Sequence, residues 1–224
     1  MRMKPANLIT HLTAPLPLIW LAVRYFTNDL SANPIQEIIQ RLGDIAIIYL
    51  LLSLAGTPVN TLFGWAWARK LRKPLGLYAF GYAALHMLAL TGLDYGFNWQ
   101  FIILDHKDKP YIYVGLAALI ILTALAATSF KRMKRVMGKN WKRLHQMVYI
   151  AGLLVAVHVA WAVKGDLLTL QGDIWKPLLA WIVLLLELAV RLPFIKRAIQ
   201  NGRDKRTRQQ GEAAVGQPLE KGLS

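Results

Sequence analysis

The chain has 224 residues, 55% of them hydrophobic and only 17% charged, at a mean hydropathy of +0.36. A soluble domain carries about a quarter charged residues, so this composition excludes an ordinary globular fold. The net charge of +15 suggests nucleic acid or anionic lipid. Apolar windows of about 19 residues, long enough to cross a bilayer core of about 30 Å, decide for the membrane.

Six windows follow in chain order, at 8–26, 45–63, 75–93, 111–129, 144–163 and 177–195. They are continuous apolar runs rather than alternating ones, which predicts helices and not a β-barrel. The fold expected is an all-α integral membrane protein, a bundle of six transmembrane helices. The basic start before the first window resembles a secretory leader, but His11, Pro15 and Pro17 interrupt the run and no small-residue cleavage pattern follows. It reads as an uncleaved first helix bent at its prolines. Gly56-Thr57-Pro58 predicts a kink in the second helix, its freed backbone groups satisfied by neighbours.

Charge sets the orientation. Of the 27 Lys and Arg, 21 lie at the N-terminus, around 64–74 and 130–143, and beyond 190; six lie on the other side. The positive-inside rule then makes both termini cytoplasmic. This asymmetry accounts for the basicity without nucleic-acid binding. Residues 1–195 read as one membrane domain and 196–224 as a basic, flexible cytoplasmic tail in contact with water or lipid. No internal repeat is evident.

Cysteine is absent, which excludes disulfides, thiolate clusters, Cys-based zinc sites and c-type haem attachment. Histidine carries the remaining metal chemistry. His106 falls in an outer connection and reads as solvated, while His11, His86, His145 and His158 fall within or at the ends of spans. Ionisable groups in lipid face a partner or a cofactor. His86 lies about 16 Å into the third helix and His158 about 21 Å into the fifth, both measured from the cytoplasmic side. His145, about 19.5 Å from His158, and His11 belong near the inner face. Two histidines at one depth on neighbouring helices can supply both axial ligands of a b-type haem. His86 with His158 is the better pair, and a single haem follows more readily than two.

The segments Gly76-Leu77-Tyr78-Ala79-Phe80, Ala84-Leu85-His86, Trp141-Lys142-Arg143-Leu144-His145 and Val157-His158-Val159-Ala160-Trp161, with the early His11-Leu12 and Leu16-Pro17, carry a resemblance. The chain resembles the haem-binding membrane subunit of bacterial periplasmic methionine-sulfoxide reductase systems. These belong to the ferric-reductase-like transmembrane group, which includes the NADPH oxidases. The resemblance implies an electron-transfer subunit of the inner membrane rather than a catalytic one. Electrons would pass from the quinol pool, or a flavin reductase, through haem b to a periplasmic molybdopterin enzyme that repairs oxidised proteins. It implies His86, His145 and His158 as haem-ligand positions and an association with flavin mononucleotide. The lack of a second histidine on the third helix argues against a conventional second haem.

Trp141 and Trp161 share helix faces with His145 and His158, where they would line an electron path or anchor the helix at the interface. Arg132, Arg135, Lys142 and Arg143 at the inner face would set topology, meet anionic lipid, or hold haem propionates or a flavin phosphate. Arg69, Lys70, Arg72 and Lys73 form a second basic patch. Glu187 and Arg191 stand at i,i+4 spacing and predict a structural ion pair. Two rival functions share the composition. One is a stand-alone ferric or oxygen reductase component lacking its flavin–nicotinamide domain; the other is a transporter or scaffold whose histidines relay protons.

Overall fold

The computed structural model describes residues 5–162, 165–166, 171–172 and 174–215, almost all of them helical. Four helical segments are long and apolar enough to cross a membrane: Pro34–Phe63, Ala66–Asp94, Pro110–Ala127 and Lys139–Ala162. A fifth is reached if Trp175–Ala189 and Pro193–Arg203, bent by 72°, count as one span. The protein is an all-helical, multi-pass membrane protein.

The predicted first helix is two helices, α1 (Pro5–Thr13) and α2 (Leu16–Phe26). Pro15 and Pro17 lack the N–H groups that would carry the ladder through, so the chain breaks at Ala14. At about 14 and 17 Å, neither piece reaches across a bilayer core. The break is pinned to the bundle. Ala14 is fully buried and its carbonyl accepts a 2.6 Å hydrogen bond from the Tyr82 hydroxyl.

The 30-residue helix α3 (Pro34–Phe63) starts well before the predicted window. Asn33 caps it by accepting from the Gln36 N–H at 3.2 Å, with Pro34 in the first turn. Gly64, at φ 75°, ends it in the left-handed conformation that glycine tolerates. Only Gly64 and Trp65 separate it from α4 (Ala66–Leu88), so the predicted basic connection at 64–74 is largely helix. A π-helical turn, Ala89–Asp94, extends α4.

After α5 (Trp99–His106) come α6 (Pro110–Ala127), α7 (Lys131–Met137), α8 (Lys139–Gln146) and α9 (Val148–Ala162). A two-residue antiparallel pairing joins Gly165–Asp166 to Gln171–Gly172. The chain continues as α10 (Trp175–Ala189) and α11 (Pro193–Val215).

The main packing is between α3 and α4 and between α6 and α9. Leu50, Leu54, Leu122, Leu125 and Leu184 interlock there around Ala79 and Ala151, both with no exposed surface. Small residues at such crossings let helices approach closely where lipid removes any hydrophobic drive for association. Large apolar side chains such as Ile120 and Leu186 face outward, as lipid contact requires.

His106 departs from its sequence reading: it is buried, not solvated. Its ring stands edge-on to Tyr95 at 5.0 Å and Nδ1 lies 3.4 Å from Asp105 Oδ2. The short helix α5 folds it beneath the connection, an arrangement that local polarity does not reveal. Asp105 accepts from Lys109 Nζ at 2.8 Å and from the Tyr95 hydroxyl at 2.6 Å. These bonds, that of Lys109 foremost, hold its carboxyl below the usual range. A depressed acid stabilises the fold fully above its unfolded value of about 4 and loses that contribution as pH falls through the folded value. The hydrogen-exchange protection factors of the α5 amides are therefore expected to fall below about pH 4 in the wild type. In Asp105→Asn that pH step should be absent.

Candidate functional site

Two histidines meet between the principal helix pairs. His86 on α4 and His158 on α9 have ring centres 6.3 Å apart and planes at 83°. Each ring is held by a carbonyl of the helix packed against its own. His86 Nδ1 lies 2.8 Å from the Ile39 carbonyl on α3, and His158 Nδ1 lies 2.8 Å from the Tyr111 carbonyl on α6. A carbonyl only accepts, so Nδ1 must carry the proton in both rings. Nε2 is left with its lone pair, the state in which imidazole ligates a metal.

The spacing fits one metal ion between the rings. A metal–imidazole bond of about 2.0 Å places the centres of two imidazoles on opposite sides of one ion about 6 Å apart. Among the described residues no group of three or more His, Asp or Glu could hold a metal. A metal between these rings would have the two imidazoles as its ligands among the described residues, and an iron there would need a macrocycle to complete its coordination. The residues fit a bis-histidine haem.

The other histidines sit elsewhere. His145 stacks on Trp141 at 4.0 Å and 27°. Its Nε2 lies 3.2 Å from the Thr128 hydroxyl, whose hydrogen is committed to the Ala124 carbonyl at 2.7 Å. His145 Nε2 is thus paired with Thr128, whereas Nε2 of His86 and of His158 is left for the facing pair. Trp141 in turn donates to the Thr128 carbonyl at 2.9 Å and lies beneath the Lys134 ammonium. His11 shares a 2.8 Å hydrogen bond with Tyr78 on α4. The structure does not bring His11 and His145 together.

Trp161 is exposed at the end of α9, three residues past His158. Arg132 and Arg135 are exposed on α7, and Lys142 and Arg143 on α8. Lys142 and Arg143 adjoin Trp141 and His145 in the chain, and the α7 side chain over the Trp141 ring is Lys134.

The expected Glu187–Arg191 ion pair is replaced by another arrangement. Arg191 Nη1 donates to the Glu187 backbone carbonyl at 2.8 Å, and Nη2 donates to the carbonyl of Leu54. The guanidinium lies over the Tyr149 ring at 5.0 Å, and Glu187 Oε2 is buried with no hydrogen-bond partner. Proline explains the competition. Pro58 has no N–H for the carbonyl four residues earlier, Leu54, and Arg191 supplies the missing donor. Sequence reasoning also missed the carbonyls of Ile39 and Tyr111. Backbone acceptors carry no residue signature; only their common separation of 47 residues from a histidine marks them.

Residues 42–157 match the family described as ferric reductase like transmembrane component. Three relatives carry the name protein-methionine-sulfoxide reductase heme-binding subunit MsrQ. That of Rhodospirillum rubrum is 42% identical over 189 residues, covering 84% of this chain and 88% of the relative. That of Xanthomonas euvesicatoria is 38% identical, covering 80% and 85%. That of Deinococcus radiodurans is 40% identical, covering 67% and 75%. Identity and coverage of this extent place the chain in the MsrQ family of the ferric-reductase-like transmembrane proteins.

Proposed function

We propose that this protein is the electron-transfer membrane subunit of a protein-methionine-sulfoxide reductase system, with one b-type haem held between His86 and His158. The 6.3 Å face-off of two imidazoles with matching tautomers carries this reading. Bound haem supplies reversible one-electron chemistry at its iron. The chain's own residues do the rest. The Ile39 and Tyr111 carbonyls fix both rings and make Nε2 more electron-rich by accepting from Nδ1–H. The lipid-embedded helices keep water from the site, so its dielectric helps set the potential.

The finer topology belongs to the same proposal. Six crossings, with α1–α2 as a bent first one, put both termini in the cytoplasm and the protein in the bacterial inner membrane. The division into a membrane domain, 1–195, and a basic extension, 196–224, goes with it. Electrons enter at the basic end from quinol or a reduced flavin and leave at the acidic end to a periplasmic molybdopterin subunit. The stacked Trp141–His145 pair extends the route inward. Arg132, Arg135, Lys142 and Arg143, on α7 and α8, are the cations for a flavin mononucleotide phosphate, and Trp161 lies on the outward side.

Purified protein in vesicles, its haem reduced by a quinol, is expected to be reoxidised by a methionine-sulfoxide reductase catalytic subunit added outside, and only when that subunit has its sulfoxide substrate. Haem that stays reduced under those conditions overturns the reading. His145→Ala is expected to keep haem at the wild-type ratio per chain, because His145 Nε2 is hydrogen-bonded to the Thr128 hydroxyl rather than facing the pair; quantifying haem against protein checks this.

A further inference from the structure

The two histidine seats are copies of one device. Ile39 and Gly43 on α3 stand to His86 as Tyr111 and Gly115 on α6 stand to His158, each member displaced by 72 residues. The core repeats the offset: Leu50 and Leu122 are both buried, and Ala79 and Ala151 are both fully buried. The α3–α4 and α6–α9 pairs are thus equivalent hairpins, although few side chains are common to them.

Within this duplicated frame the glycines have one evident task. A Cβ on Gly43 would lie 3.2 Å from His86 Nδ1 and 3.3 Å from Cε1. A Cβ on Gly115 would lie 2.6 Å from His158 Nδ1 and 2.8 Å from Cε1. Neither glycine has the positive φ that would require glycine for backbone reasons. A helix interior disfavours glycine against alanine, so some other demand must keep it there. The demand visible here is room for an imidazole folded against the neighbouring helix, one turn from the carbonyl that accepts the hydrogen bond from its Nδ1–H. Gly81, also inside α4, has nothing within 4 Å of its would-be Cβ.

We infer that Gly43 and Gly115 are positioning residues for the two axial histidines, and that the His158 seat is the tighter and less forgiving of the two. This rests on the haem reading above. A methyl group at 115 must displace the His158 ring, because contacts under 3 Å with a ring held by a hydrogen bond cannot persist. At 43 the ring need yield only by tenths of an ångström.

The test compares Gly115→Ala, Gly43→Ala, Gly76→Ala and Gly81→Ala in the full-length, haem-loaded protein. Gly76 is the packing control: its Cβ would lie 3.2 Å from Ser53 Oγ, as tight as Gly43, but it touches no histidine. Readouts are the rate of haem transfer to apomyoglobin, the midpoint potential and the ferric electron paramagnetic resonance spectrum. Gly115→Ala is expected to release haem about tenfold faster, the scale of an overpacked core contact, and to change the spectrum. Gly43→Ala should shift the spectrum and potential in the same sense by less, and the two controls should superimpose on wild type. A wild-type spectrum in Gly115→Ala overturns the inference, as does a Gly76→Ala shift equal to that of Gly43→Ala. Should Gly115→Ala fail to fold, Gly43 against Gly76 decides. A wild-type protein that takes up no haem defeats the haem reading instead. The seats are then read by nitrogen-15 NMR of the histidines: an Nδ1-protonated His158 perturbed by Gly115→Ala upholds them, and an unperturbed one refutes them.

Discussion

His158→Ala and His86→Ala are each expected to abolish the low-spin b-type spectrum while leaving a folded, helical protein. Each substitution removes one of two axial bonds. Loss of a group that merely orients a ligand costs about 10- to 100-fold in metal affinity, so loss of the ligand itself should exceed about 100-fold. The helices should survive, because both rings are only partly buried and neither belongs to the interlocked leucine core. The alanine variants leave a space lined by Ile39 and Gly43, or by Tyr111 and Gly115, into which free imidazole can enter. Added imidazole is expected to restore a low-spin spectrum in part. Haem per chain, absorption spectra and helical content measured together check this, and retained low-spin haem in either variant would move the ligand elsewhere.

The second large effect is expected at Arg191. Its guanidinium satisfies the Leu54 carbonyl that Pro58 leaves without a donor, bonds the end of α10 at Glu187, and covers Tyr149. Arg191→Ala leaves a carbonyl unsatisfied beside a side chain that is almost fully buried. Hydrogen bonds to charged groups contribute about 1.5–3 kcal/mol, and an orphaned buried acceptor adds a comparable cost. A destabilisation of about 3 kcal/mol is expected in thermal or denaturant unfolding in detergent. Arg191→Lys should recover only part of it, because an ammonium lacks the fork that reaches two carbonyls. Glu187→Gln should be nearly neutral, since Glu187 Oε2 has no partner to lose. An Arg191→Ala loss below about 0.5 kcal/mol, the scatter of ordinary surface substitutions, would contradict this account.

Much of the site was legible because depth along a membrane helix follows from counting residues. The apolar windows located α4 and α9, and a rise of about 1.5 Å per residue put His86 and His158 at similar levels. What the windows could not show was where helices end. Gln36, Glu37, Gln40 and Arg41 are helical without being apolar, and so are Arg69 to Lys73, so α3 and α4 run beyond their hydrophobic parts. Pro15 and Pro17 did announce a disruption, but whether two prolines bend a helix or divide it depends on what holds the turn between the pieces. Here Tyr82 from another helix donates to the Ala14 carbonyl. The Glu187–Arg191 spacing was read as one face of a helix, but Arg191 falls in the turn beyond α10, and an orphaned carbonyl 137 residues away takes its guanidinium. Contacts of that kind belong to the assembled bundle and leave no mark on local sequence. The paired seats show the same limit: their repeat lies in backbone and glycine positions while the surrounding side chains differ.

The central claim, one haem iron between His86 and His158, is tested most directly by electron paramagnetic resonance of the oxidised, purified protein, with haem counted per chain. Imidazole planes near 83° predict a strongly anisotropic low-spin ferric signal from a single species, at one haem per chain and absent from both alanine variants. A high-spin signal from an iron with one histidine ligand, or a low-spin signal that survives His86→Ala or His158→Ala, would contradict it.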